Sequence, residues 1–558
     1  MPPIVGKDKI KEMFIEQLKN RTELMFEGGG VKGDAYLGML KRLGEYGVKL
    51  QQFDRVTGTS VGAIAAMFVA FNISIEEFET EMQDVDFSEF LNESESFVTK
   101  ARTFWWTHGL NSPEPLYNWI KYLGIKFSLD EGRKTEFAKL FAIKLGKEKE
   151  GSDKPLTYAN FKLFMKTIKP AEIEKFTNMT FAEFSQAKNP DGAKRFKELQ
   201  VIVTQVNPLG PKVFNSLLTP NAQFLKVVGA SATMPFVFST FLAKVTPLEE
   251  KRNQNGDLEE TSGGEFTENP NGQAFTDGGV TANNPLDLLG WIDKEGELLT
   301  GEALKEHQAN LAHNALCGIF VNDNRPTTSV KFRKEDIGAP NSLKDLVTGV
   351  LTSFSKSNAQ LPKFAENCAI PILVPEGVVS IDFQKANGMK AKLQEAGQHA
   401  VDTFIHQRVK AIKAEEEAIQ TRKTKLRAWF EHVKARLGVG KFHYKRERGE
   451  DKSIFSDGFQ LKFKDGTISL DTAERLLEEA QDISTFKVKV FSSPNNNVVF
   501  DADIEPGTLP NVSSCCDLAE NTEVLLSRHN SKDTLNSQDS VIDDDLTTQN
   551  FPPTLSIS

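Results

Sequence analysis

The chain has 558 residues, 39% of them hydrophobic and 26% charged, with a net charge of −10. This is enough apolar material for a large core and more than one domain, and the acidic balance argues against a nucleic-acid binder, which needs a basic face. Four cysteines in so long a chain supply neither a disulfide framework nor a paired C-x-x-C zinc signature, so no metal is expected and a reducing compartment fits best.

The opening stretch "MPPIVGKDKIKEMF" scatters charge where a secretory signal would need an apolar core and a cleavage site. No classical signal peptide is expected, and residues 1–19 read as a lead helix. Next comes "LMFEGGGVKGDAYLG", in which Leu24 to Phe26 is a strand running straight into Gly28, Gly29 and Gly30, ahead of a helix over residues 35–46. Three glycines in a row destabilise any regular element. Their use is to bring bare backbone amides together as a nest for an anion, reinforced by Lys32. A plain glycine turn between strand and helix remains the alternative.

In "RVTGTSVGAIAAMF" a short β-compatible run, Phe53 to Val56, gives way to the small apolar helix formers that start at Ala63. Between them Gly58 and Gly62 flank Ser60, so the backbone is free to make the strained strand-to-helix turn that lifts a hydroxyl out as a nucleophile. The following helix turns its unpaired amides and dipole toward the same point. The apolar run from Ala63 to Phe71 is far shorter than the roughly 20 residues a membrane span requires.

Residues 85–110, "VDFSEFLNESESFVTKARTFWWTHGL", are rich in Phe and carry Trp105 and Trp106. They suit an acyl groove, a membrane-interface contact or ordinary core. The whole chain holds 41 phenylalanines against 6 tyrosines, which fits either a large core or an acyl cavity. Further on, "AFTDGGVTANNPLDLL" places Asp277 after a short strand and before Gly278 and Gly279, with Asn283, Asn284 and Pro285 opening a helix. An acid on a glycine turn often serves only to order that turn.

Taken in order, the glycine-rich loop, the G-x-S-x-G and the D-G-G resemble the patatin-like phospholipases. The resemblance covers about residues 20–410. It also takes in "ELQVIVTQVN" (198–207) as a central strand, "VVGASATMPFVF" (227–238) as an Ala-Ser-x-x-x-Pro segment, and "VVSIDFQKANGMKAKLQEAG" (378–397) as a closing strand and helix. It implies an α/β fold, a three-layer sandwich around a mostly parallel sheet, and a lipid acyl hydrolase of the phospholipase A or lysophospholipase type that needs no cofactor. Ser60 and Asp277 would form its dyad, with Gly28, Gly29, Gly30, Lys32 and Gly33 in the oxyanion loop. Glu27 stands where many members carry Asp, and little harm is expected, since backbone amides do the work. The polar stretch from Thr246 to Asn271 reads as an insertion. The competing arrangement is a Ser-His-Asp hydrolase with His399 or His406 as base. Another is a catalytically idle scaffold that binds membranes or a host protein.

Residues 411–503 read as an accessory region. A long helix from Lys385 to Leu437 ends in a basic run, suited to a solvated face or to anionic lipid heads, and strand-like pieces with a helix between Ser453 and Asp503 suggest a small α+β module. Residues 504–558 are polar, acidic and poor in aromatics, and are expected to be disordered. This architecture resembles injected bacterial phospholipase effectors. It implies membrane phospholipids as partners, a host protein as activator, and a cytoplasmic protein or one exported without a classical signal, peripheral to membranes.

Overall fold

The computed structural model describes residues 7–91, 109–145, 156–252, 258–321, 363–376, 378 and 383–437, together with strands at 443–446, 460–464, 486–492 and 497–504. The chain divides into two compact units, residues 1–409 with 551–558, and residues 410–550.

The first unit is organised by a nine-stranded sheet. Its strands are β1 (Glu23–Phe26), β2 (Arg55–Thr59), β3 (Glu198–Gln205), β4 (Gly210–Phe214), β5 (Phe241–Val245), β6 (Phe266–Glu268), β7 (Gln273–Asp277), β8 (Ala315–Val321) and β9 (Ala369–Leu373). Along the sheet β3, β2, β1, β8 and β9 run parallel, while β4, β5, β6 and β7 add antiparallel pairings. The strands β1, β2, β3 and β8 are buried at nearly every position. Such continuous burial occurs only where both faces of a sheet are covered, and it accounts for the unbroken apolar runs in the sequence. The expected α/β class with a mostly parallel sheet is therefore what the chain adopts.

The register of β3 decides where Ser60 and Asp277 sit. Residues Val201 to Gln205 pair with β4 on one edge. On the other edge β2 pairs up to Thr59↔Ile202, and β7 arrives from the opposite direction to end at Asp277↔Val203. The C-terminal ends of β2 and β7 thus meet head to head on consecutive residues of one strand. Ligand crevices of α/β sheets open at just such strand ends.

Helix α1 (Lys7–Lys19), the expected lead helix, buries Ile10, Phe14 and Leu18, and sets the Phe14 ring against that of Phe404 at a tilt of 55°. Helix α2 (Asp34–Glu45) connects β1 to β2, and α3 (Val61–Ala70) leaves β2 with eight of its apolar positions buried around Gly62. Between β2 and β3 lies a helical insertion whose phenylalanines form cores of their own, one of Phe137, Phe141, Phe161, Phe164 and Phe176, another of Phe71, Phe184 and Phe196 joined by Phe224 from beyond β4. Most of the aromatic excess is accordingly spent on packing. The stretch from Thr246 to Asn271 holds a strand pair, Glu249–Arg252 with Leu258–Ser262, followed by β6.

The long helix expected from Lys385 to Leu437 is present and runs from Phe383 to Leu437. In the second unit, strands His443–Arg446, Gln460–Lys464, Phe486–Ser492 and Asn497–Ile504 form a four-stranded sheet. The expected helix between them, the side chains of the basic run after residue 421, and the tail beyond residue 504 lie outside the described residues.

Candidate active site

Ser60 joins β2 to α3 with φ 56° and ψ −130°. A positive φ is uncommon for a residue with a side chain and is held only when the surroundings over-determine it. Here the two flanking glycines make the turn possible through close approach. A Cβ on Gly58 would stand 2.1 Å from the carbonyl oxygen of Gly62, and one on Gly62 would stand 2.4 Å from that of Phe26. The strand end, the elbow and the end of β1 therefore touch backbone to backbone.

The hydroxyl of Ser60 donates to Asp277 Oδ2 at 2.5 Å, and both residues are buried. The other carboxylate oxygen of Asp277 accepts the Gly279 N–H at 2.7 Å, and the Asp277 N–H donates to Thr233 O at 3.0 Å. Burial pushes the Asp277 carboxyl up to about 6, against the opposing pull of those hydrogen bonds from Ser60 and Gly279. A carboxylate at that level is a far better proton acceptor near neutrality than one in water.

The glycine turn adjoins Ser60, with which Gly30 and Gly33 share one cleft lining. Gly30 has φ 58° and opens a turn of 3-10 helix, Gly30–Gly33. The leading amides of such a turn have no acceptor within it. Gly28 departs from the expectation that it lends an amide, because its N–H donates to Asn283 O at 3.0 Å. What matters at Gly28 is the missing side chain, since a Cβ would stand 2.3 Å from Asn283 Oδ1 and 3.0 Å from Ser60 Cβ. Gly33 gives room to Val61, and Lys32 is buried with its Nζ 5.3 Å from the centre of the Phe320 ring. Burial lowers the Lys32 pKa, and nearby Glu27 opposes that shift.

The family model for patatin-like phospholipases matches residues 24–289, which begin inside β1 and run past Asp277. Residues 24–289 form a patatin-like phospholipase domain. Among curated proteins, YqhO of Bacillus subtilis is 36% identical over 100 residues, or 17% of this chain and 33% of that one. The mimivirus protein L620, from Acanthamoeba polyphaga mimivirus, is 28% identical over 282 residues, or 49% of this chain and 64% of that one. The chain thus spans less than two thirds of either relative. Among solved structures, VipD of Legionella pneumophila has a TM-score of 0.36 at 15% identity, covering 68% of this chain and 67% of that one. ExoU in complex with SpcU, from the type III secretion system of Pseudomonas aeruginosa, has a TM-score of 0.26 at 16% identity, covering 74% and 63%.

Beside Ser60 opens a cleft of about 590 Å³, open solvent at its mouth included. Gly30, Ser60 and Val61 line it together with Ile64, Phe78, Met82, Phe87, Leu116, Trp119, Met234 and Phe383. The lining is almost wholly apolar. Of the aromatic stretch 85–110, Phe87 and Phe90 reach this cleft, whereas Trp105 and Trp106 lie outside the described residues.

Sequence reasoning missed Ser231. Its Oγ accepts the Ser60 N–H at 2.9 Å and donates to Ile202 O at 2.6 Å, pinning the elbow to β3. The segment 227–238 was marked by its resemblance, but no local signal distinguishes this hydroxyl from any small helix residue. The histidines of the competing arrangement, His399 and His406, are exposed on the long helix, where His399 bears on Asp402, itself held by Arg42 and Tyr46.

Proposed function

We propose that the patatin-like domain hydrolyses fatty-acyl esters of membrane phospholipids through Ser60 and Asp277. The observation that carries this reading is the 2.5 Å contact of Ser60 Oγ with a buried carboxylate, Ser60 itself lining an apolar cleft. The acyl chain lies in the cleft, where each buried methylene is worth about 0.8 kcal/mol. Asp277 Oδ2 takes the hydroxyl proton as Ser60 Oγ attacks the ester carbonyl, giving a tetrahedral intermediate. The leading amides of the turn at Gly29 and Gly30, with the N-terminus of α3, receive the negative charge. Asp277 then returns the proton to the leaving alcohol, and water releases the fatty acid from Ser60 by the same route. Because burial has raised the carboxyl to about 6, one group both accepts and returns the proton without a histidine.

The test compares wild type with Ser60→Ala on short- and long-chain nitrophenyl esters and on phosphatidylcholine and phosphatidylglycerol vesicles, with fatty acid measured by mass spectrometry. Release by wild type and none by the variant supports the reading. Equal release, or none by either, sinks it. Delivery into another cell and activation by a protein there, implied by the resemblance, are separate proposals. Adding eukaryotic lysate to the full chain should then raise turnover sharply.

A further inference from the structure

The carboxyl of Glu27 is engaged by two groups from distant parts of the chain. Its Oε1 accepts Asn283 Nδ2 at 2.8 Å, and its Oε2 accepts the Phe320 N–H at 2.5 Å. Each of these partners bears on the glycine turn. Asn283 brackets Gly28, accepting its N–H at 3.0 Å and donating from Nδ2 to its carbonyl at 3.1 Å. Phe320 lays its ring over Gly29, where a Cβ would come within 2.3 Å of it. Glu27 therefore ties together the two groups that touch the turn at Gly28 and Gly29. The ionised acid accepts strongly on both oxygens; protonation leaves one of them a hydroxyl, a weaker acceptor with a proton to place, and a glutamine of the same shape turns N–H donors toward one of the two donors.

We propose that Glu27 is a positioning residue for acyl transfer, its carboxylate clamping the glycine turn by accepting from Asn283 and Phe320 at once. The inference rests on the hydrolase reading above. The groups facing Glu27 come from every neighbouring element. They are Lys32 on the 3-10 turn, Tyr36 on α2, whose hydroxyl donates to Glu27 O at 2.5 Å, Cys317 on β8, and Asp287 on the helix Pro285–Leu289. Burial outweighs the favourable pull of Phe320, Lys32 and Asn283, and pushes the Glu27 carboxyl up to about 7. The clamp accordingly engages as pH rises through neutrality and slackens below it.

The experiment uses the full chain and Glu27→Gln, measuring kcat and KM on a soluble ester between about pH 5 and 9, with amide hydrogen exchange over residues 26–33 and 318–322. The variant is expected to lose roughly ten- to a hundredfold in kcat with KM within about twofold, as when an interaction made only in the transition state is weakened. The wild-type profile should show two ionisations and the variant only the lower one. Exchange in both segments should quicken about tenfold or more in the variant near pH 8. If the variant does not fold, wild type alone decides. Corrected for intrinsic rates, both segments should exchange faster near pH 6 than near pH 8. Unchanged kcat in a folded variant, or exchange indifferent to both substitution and pH, overturns the clamp. Should wild type show no Ser60-dependent turnover, the hydrolase reading fails while the exchange arm still decides whether Glu27 holds the turn.

Discussion

Replacing Asp277 by Asn should stabilise the protein while abolishing its turnover, and the gain should depend on pH in a calculable way. Asn keeps the shape and an oxygen for the Gly279 N–H, but it carries no charge to desolvate. The Asp277 carboxyl stands at about 6 in the folded chain against an ordinary 3.8, so the folded state holds this proton more tightly than the unfolded state. Stability from this group is therefore fully present below about 3.8 and is lost as pH rises through about 6. At 1.36 kcal/mol per pKa unit, the charged carboxylate costs on the order of 3 kcal/mol near pH 8 and only about 0.5 kcal/mol near pH 4. Glu27, Asp34 and Asp287 are also raised, to about 7, 6 and 6, but they are common to both proteins and drop out of the difference. Urea unfolding of wild type and Asp277→Asn at several pH values would measure the gap, and kcat/KM of wild type should rise as pH passes about 6, where the base loses its proton. A variant no more stable than wild type near pH 8, or a gap that stays constant with pH, would refute the argument that burial of this carboxylate sets its basicity.

Ser60→Ala should reduce ester hydrolysis by about a thousandfold or more while leaving the unfolding transition in place, and Ser60→Ala with Asp277→Asn together should be little worse, because the two act as one unit. Gly58→Ala drives a Cβ to 2.1 Å from a backbone oxygen, with no side chain able to yield, so its urea midpoint should fall by an amount equivalent to about 1–3 kcal/mol. Ser231→Ala removes the acceptor for the Ser60 N–H and should lower kcat about tenfold with KM nearly unchanged, in keeping with a lost hydrogen bond of about 1–1.5 kcal/mol; an unchanged kcat would mean the elbow is held by its glycines alone. Met234→Trp narrows the apolar cleft, and a series of esters of rising chain length should show kcat/KM falling about tenfold or more for long chains and little for acetyl, as expected when several buried methylenes are excluded.

The Ser60 elbow and the Asp277 turn were legible because both sit on local backbone constraints. G-x-S-x-G and D-G-G name positions where a side chain would strike a neighbouring backbone, as the contacts at Gly58, Gly62 and Gly278 show. The parallel core was legible too, since strands covered on both faces must be apolar throughout. Only the tertiary structure decided that Asp277 lands on Ser60, because that depends on β2 and β7 ending on adjacent residues of β3, a register no single segment encodes. The same holds for the division of labour among the glycines. Gly28 looks like an amide donor until Asn283, from a distant turn, is found on its N–H. The cleft gathers side chains from between Gly30 and Phe383, each of which, read alone, is ordinary core. Glu27 reads as a mere variation beside three glycines, yet its carboxylate meets the backbone of Phe320, 293 positions away. Charge, reach and burial act through space, and their consequences for this site appear only when the chain is folded.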